Sequence, residues 1–149
     1  MKTKVISGFP AVGKSYLYNN HKELKVLDSD SSKFSWESEG VRHPDFPNNY
    51  IRHIKRNLGV VDVIFVSSHK VVREALENNG IDYTIVYPNI SLKGEYISRY
   101  INRGNDDSFI EFLNENWEEF ITDIENERFP VKVELQEGQY MKDVLEHIL

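Results

Sequence analysis

The chain has 149 residues, a formal net charge of −6 at pH 7 and no cysteine, with a pI near 5.4. A single domain around one core is the expectation for this length, and the acidic balance disfavours long nucleic acids and membrane surfaces, which require a basic face. The lack of cysteine removes disulfides and thiolate metal sites and suits a reducing compartment. No apolar export segment opens the chain, and the longest apolar run, 60–66, is interrupted by Asp62, so the sequence reads as cytoplasmic and free of membrane spans.

In chain order, 2–7 reads as a first strand, followed by a glycine-bearing loop and a helix opening at 14–20. A short strand at 25–28 ends in the polar run Ser29-Asp30-Ser31-Ser32, and 33–48, punctuated by Pro44 and Pro47, reads as irregular. A helix is predicted over 49–58, stopped by Gly59. The near-continuous apolar stretch 60–66 predicts a strand covered on both faces, as in a parallel sheet. A helix at 71–79, a strand at 83–87, a helix at 91–102 with Ser91 as N-cap, and a long helix at 107–126 follow. Within that last helix Trp117 reads as core. A strand at 131–135 and a helix at 141–148 complete the pattern. Strands alternating with helices predict a three-layer α/β/α fold with a five-stranded parallel sheet, in one domain spanning 1–149.

The sharpest motif is Gly8-Phe9-Pro10-Ala11-Val12-Gly13-Lys14-Ser15, which fits G-x-x-x-x-G-K-[ST] between a strand and a helix. Such a P-loop wraps a polyphosphate in backbone N–H groups, with the glycines supplying unusual dihedrals and close approach. Gly8, Pro10, Ala11, Val12, Gly13, Lys14, Ser15 and Tyr16 are the expected nucleotide contacts, Lys14 on the β- and γ-phosphates and the Ser15 hydroxyl on magnesium. Ligands of open α/β sheets bind beyond the carboxyl ends of the strands. That directs attention to Asp28 and Asp30 after the second strand, each a candidate general base, metal partner or substrate contact. After the third strand stand Ser67, Ser68 and His69, where many P-loop enzymes carry an aspartate that holds magnesium through water. Either these serines orient the metal's waters, or Asp28 or Asp30 supplies the charge; His69 and Ser68 are candidate substrate contacts.

Arg99 and Arg103 share one face of a predicted helix, a spacing suited to cations around a moving phosphoryl group, with Gly104-Asn105 as a hinge. Arg52 and Arg56 repeat the spacing, with Arg42 upstream, and one of these three is expected to hold an acceptor phosphate. Trp36, Phe34 and Tyr50 are candidates for stacking on a base, although aromatics more often serve as core. The 136–140 loop, with Gly138, is placed to read a purine edge through its main chain.

With these residues in place, the chain resembles the small P-loop kinases of the adenylate kinase-like nucleoside and nucleotide kinase group, particularly the short versions carried by bacteriophages. Residues 96–104 are similar to the arginine-bearing lid of such kinases, within a lid region of about 91–106; 30–58 matches their monophosphate-binding insertion and 136–140 their adenine loop. The resemblance implies magnesium-ATP as donor and transfer of its γ-phosphoryl to a nucleoside or deoxynucleoside monophosphate, a step of nucleotide metabolism. Two other readings are weighed against it: a kinase acting on a hydroxyl, such as a polynucleotide 5′-end or small metabolite, with Asp28 or Asp30 as base, and a nucleotide-binding protein without turnover.

Overall fold

A computed structural model of the chain describes residues 2–31, 34, 36–38 and 41–149. Strands β1 (Lys4–Gly8), β2 (Val26–Asp28), β5 (Val63–Ser67), β6 (Thr84–Pro88) and β7 (Val131–Leu135) form one sheet in the order β2-β5-β1-β6-β7. Every pairing in it is parallel. Two further strands, β3 (Trp36–Ser38) and β4 (Val41–Arg42), pair antiparallel in a segment whose prolines had predicted irregular backbone.

Helices α1 (Lys14–Asn20), α2 (Asn48–Asn57), α3 (Lys70–Asn78), α4 (Lys93–Asn102) and α5 (Asp107–Glu125) connect the strands, and a single 3₁₀ turn at Met141–Val144 leads into α6 (Leu145–Ile148). Right-handed crossovers carry α1 to one face of the sheet, where it meets the C-terminal segment, and put α2, α3 and α5 on the other. The core lies between these layers. Ile6, Ile64 and Ile85, from the three central strands, are fully buried, as are Leu17, Ile54, Leu76 and Ile121 from the helices. Each such side chain contributes roughly 1.5–3 kcal/mol of hydrophobic stabilisation relative to an exposed one.

The predicted elements are all present, with shifted edges that have local causes. The strand expected from residue 60 begins at Val63, because α2 needs a turn to reverse. The Val60 and Val61 amides bond back to the Asn57 carbonyl, and Asp62 sits at the foot of the sheet, its carboxylate accepting from the Lys25 amide at 2.7 Å. Ser91 is not the cap expected of it: Asn89 accepts from the Ser91 amide at 2.9 Å and opens a 3₁₀ turn ahead of α4. Trp117 is fully buried, as expected, with its indole N–H donating to the Ile90 carbonyl at 2.7 Å.

The topology defines where a ligand can enter. From β1 the chain turns first toward β2, on one side, and later arrives at β6, on the other. A crevice therefore opens above the carboxyl end of β1, at the switch point of the sheet. The register sets Gly8 beside Ser67, and the Phe9 amide extends the pairing by donating to the Val86 carbonyl at 3.0 Å.

Candidate functional site at the carboxyl end of the sheet

The loop from Gly8 to Ser15 occupies that crevice, and its conformation follows from how its carbonyls are held. The Ala11 carbonyl accepts from Arg99 Nη1 at 2.9 Å, the Val12 carbonyl from the Met141 amide at 2.8 Å, and the Pro10 carbonyl from the Tyr100 hydroxyl at 3.4 Å. With those oxygens drawn into the protein, the amides of Ala11, Gly13, Lys14 and Ser15 find no acceptor among the described residues. Ala11 (φ 71°) and Gly13 (φ 92°) both adopt the left-handed region that such an arrangement requires. Glycine is needed at residue 13 for a second reason: a Cβ there would lie 2.9 Å from Cδ1 of Tyr140.

A cleft of about 640 Å³ lies over this loop. Its walls include Lys14, Ser15, Asp28, Asp30, Ser67, Ser68, His69, Arg99, Arg103 and Tyr140, so most residues singled out in the sequence converge here. Lys14 Nζ lies 3.1 Å from Asp28 Oδ1, and both groups are about half exposed. Such a pair contributes little to stability. Its consequence is positional, since Asp28 holds the ammonium at the mouth of the loop.

The carboxylates after β2 are set by a buried hydroxyl ladder. Tyr50, on the first turn of α2, is fully buried and donates to the Ser29 carbonyl at 2.6 Å while accepting from the Ser67 amide at 3.3 Å. Burial pushes its phenol up to about 12, so the proton needed for the first bond stays in place. The Ser31 amide donates to Ser67 Oγ at 3.0 Å, and the fully buried Ser7 hydroxyl donates to the Ser67 carbonyl at 3.2 Å. The segment carrying Asp28 and Asp30 is thereby fixed against the end of β5.

Arg99 occupies a different place from the free arginine finger that its spacing suggests. It is buried, with Nη2 on Glu95 at 2.8 Å and on the Gln139 carbonyl at 2.9 Å in addition to its bond to Ala11. The guanidinium carbon stands 4.3 Å from the ring centre of Tyr96 and 3.8 Å from that of Tyr140. Arg99 thus joins α4, the glycine-rich loop and the 136–140 loop. Arg103, one turn on, is exposed at the rim of the cleft.

Several sequence candidates fall elsewhere. Tyr16 points outward, its ring 6.2 Å from that of His21, and lines no part of the cleft. The Gly138 amide is held by the Glu95 carboxylate at 3.0 Å, so the 136–140 loop reaches the cleft through Tyr140 instead. Arg52 pairs with Asp45, and Arg56 donates to the Arg52 carbonyl at 3.4 Å; neither lines a cleft. The side chain of Trp36 lies outside the described residues. Arg42 lines a second cleft, of about 680 Å³, whose wall it shares with Ser68 and His69.

Tyr50, a stacking candidate in the sequence, is fully buried and holds the backbone after β2 instead, and Tyr140, which the sequence places only within the 136–140 loop, lines the cleft against Arg99. Neither belongs to a motif. His69 projects into the concave seam between the clefts, where partial burial, followed by the Arg42 and Arg73 charges and opposed by Asp30, holds its imidazole below the usual histidine range. It is therefore neutral at pH 7 and available as a hydrogen-bond partner.

Among the described residues no group of three or more His, Asp or Glu side chains could hold a metal unaided. The donor set that is present, the exposed Ser15 hydroxyl beside Lys14 with Asp28 and Asp30 across the cleft, suits a magnesium ion completed by phosphate oxygens and water. No helix among the described residues is long and apolar enough to cross a membrane. No family model matches the chain, and no curated protein matches it.

Proposed function

We propose that the chain is a P-loop phosphotransferase that moves the γ-phosphoryl group of magnesium-ATP to a nucleoside or deoxynucleoside monophosphate. The observation that carries this reading is the loop itself. Three of its carbonyls are tied outward, and the amides of Ala11, Gly13, Lys14 and Ser15 find no acceptor among the described residues, directly below a lysine and a hydroxyl in the same cleft. Backbone amides so arranged bind the oxygens of a polyphosphate.

In this reading the amides of Ala11, Gly13, Lys14 and Ser15 hold the β-phosphate, and Lys14 leaves Asp28 to bridge the β- and γ-phosphates. Ser15 is the protein ligand for magnesium, which supplies charge neutralisation at the β- and γ-oxygens when bound. The acceptor's phosphate oxygen attacks the γ-phosphorus as the bond to the β,γ-bridging oxygen breaks, and ADP departs with that electron pair. No strong base is required, because the acceptor oxygen is already anionic. Arg103, exposed at the rim, closes on the equatorial oxygens, while Arg99 keeps the loop in its binding shape.

A second reading, transfer to a hydroxyl, is favoured by the position of Asp30, a carboxylate in the wall of the same cleft as Lys14 and Ser15. In that case Asp30 takes the hydroxyl proton.

The test is ADP release from magnesium-ATP with a panel of ribo- and deoxynucleoside monophosphates, with nucleosides and a 5′-hydroxyl oligonucleotide alongside. Turnover with a monophosphate, falling by at least about 10²–10³-fold in Lys14→Ala, is the expected result. Wild-type turnover in Lys14→Ala would refute the reading. Turnover only with a hydroxyl acceptor, abolished in Asp30→Asn, would select the second reading, and ATP binding without any transfer would leave a nucleotide-binding protein.

A further inference from the structure

The loop cleft carries Lys14, Ser15, two carboxylates and two arginines, and it accounts for phosphates better than for the rest of an acceptor. Next to it lies the second cleft, of about 680 Å³, between the start of α3 and the inner face of α5. This is within the range of small-molecule sites. The two share Phe9, Pro10, Ser68, His69 and Phe109 as a common wall, so a molecule in the second cleft presents one end to the loop.

The lining of the second cleft differs from that of the first. Phe109, Phe112 and Phe120 line it; Phe112 is 54% exposed, and its ring lies 5.5 Å from that of Phe120 at 59°. A half-exposed phenylalanine beside a second ring offers an apolar surface in a concave setting. The opposite wall is rigid: Arg73 is buried and bonded to Asp123 at 2.8 Å, Glu127 at 2.6 Å and the Ser68 carbonyl at 2.9 Å. The charged lining comprises Arg42, Lys70, Arg73, Glu119 and Asp123, with Lys70 Nζ 3.6 Å from Asp123 Oδ1, and His69 stands in the wall shared with the loop cleft. The cleft thus joins an exposed aromatic surface on α5 to a polar seam with the loop cleft.

We propose that this second cleft binds the planar base of the acceptor, stacked against Phe112 and Phe120, with the acceptor's phosphate directed by Arg42 to the seam at Ser68 and His69. The inference rests on the phosphotransferase reading for the fate of the acceptor, but not for its binding. It moves base recognition from the 30–58 segment to α5, and it makes Arg42 the acceptor arginine in place of Arg52 and Arg56.

The test uses binding as well as turnover. Nucleoside monophosphates with each of the common bases, and ribose 5-phosphate as a base-free counterpart, are titrated into the full chain by ligand-observed NMR, with KM measured for any that are phosphorylated. In Phe112→Ala, a change at an exposed side chain, the affinity for the preferred monophosphate falls about tenfold or more. Affinity for ribose 5-phosphate and for ATP stays within twofold. In Arg42→Gln both the monophosphate and ribose 5-phosphate weaken. Unchanged monophosphate affinity in Phe112→Ala, equal losses for the two ligands, or no monophosphate binding by the wild-type chain would overturn the proposal. A concentration-dependent dimer lost in Phe112→Ala, without any effect on monophosphates, would also overturn it and assign the surface to a second copy. Failure of the phosphotransferase reading is separately visible as monophosphate binding, sensitive to Phe112, without transfer.

Discussion

Helices α2 and α4 each carry arginines four residues apart, and the two pairs meet opposite fates. On α4, Arg99 is buried against the loop and Arg103 stands at the rim of its cleft. On α2, Arg52 and Arg56 line neither of the two clefts, with Arg52 on Asp45. Spacing along a helix decides only that two side chains share a face. What that face meets depends on how the helix runs relative to the sheet. The α2 helix starts at the ligand end, where Tyr50 touches Ser29 and Ser67, and descends to the far end, where Gly59 donates to Thr3. Each turn carries its arginines further from the site.

The largest effect that would sharpen this contrast is expected from Arg99→Ala. Removing a buried guanidinium leaves the Ala11 and Gln139 carbonyls and Glu95 without their partner, at a cost of about 3–5 kcal/mol. Thermal unfolding measures this, and ATP affinity should fall with it. Arg99→Lys should not restore either, since an ammonium cannot bridge two carbonyls and a carboxylate in the same fork geometry. An unchanged melting temperature in Arg99→Ala would break the assignment of Arg99 as the residue that shapes the loop.

A smaller loss, about 1–3 kcal/mol, is expected from Tyr50→Phe, which leaves the buried Ser29 carbonyl and Ser67 amide unpaired. If Asp30 or Asp28 acts in the reaction, the same variant lowers kcat more than it raises the KM for ATP. Hydrogen exchange at Ser67 is the direct readout of the lost bond. The contribution of α2 to the site would then be its tyrosine and not its arginines. Smallest of all, Arg52→Ala should change stability by no more than about 0.5 kcal/mol and leave turnover intact. A tenfold rise in acceptor KM in that variant would return acceptor binding to α2.

Much of the architecture was legible in the sequence because its signals are local. The apolar run through Val63–Val66 announced a strand buried on both faces, and Gly80 and Gly104 marked the ends of helices where they occur. The loop was legible for the same reason, since its spacing is a contiguous pattern. Arg99 shows where local signals fail. Its partners Ala11 and Gln139 are distant in sequence, and nothing near residue 99 separates a cation aimed at phosphate from one aimed at a carbonyl. Phe112 and Phe120 fit the helical period of α5, yet Phe112 is half exposed in the second cleft. Periodicity identifies the inward side of a helix but not whether that side is filled by protein.

The tethers of the Gly8–Ser15 loop also have a consequence for biosynthesis. The loop is made before the groups that draw its carbonyls outward, which belong to Arg99, Tyr100 and Met141. Contacts so far apart in sequence form late, because chain closure must precede them. On the ribosome, the loop therefore remains unshaped until residues 139–141 have emerged and packed. Nascent chains lacking them can build β1 and α1 but cannot hold the loop in this shape, so its final conformation arrives only with β7 and the turn that follows it.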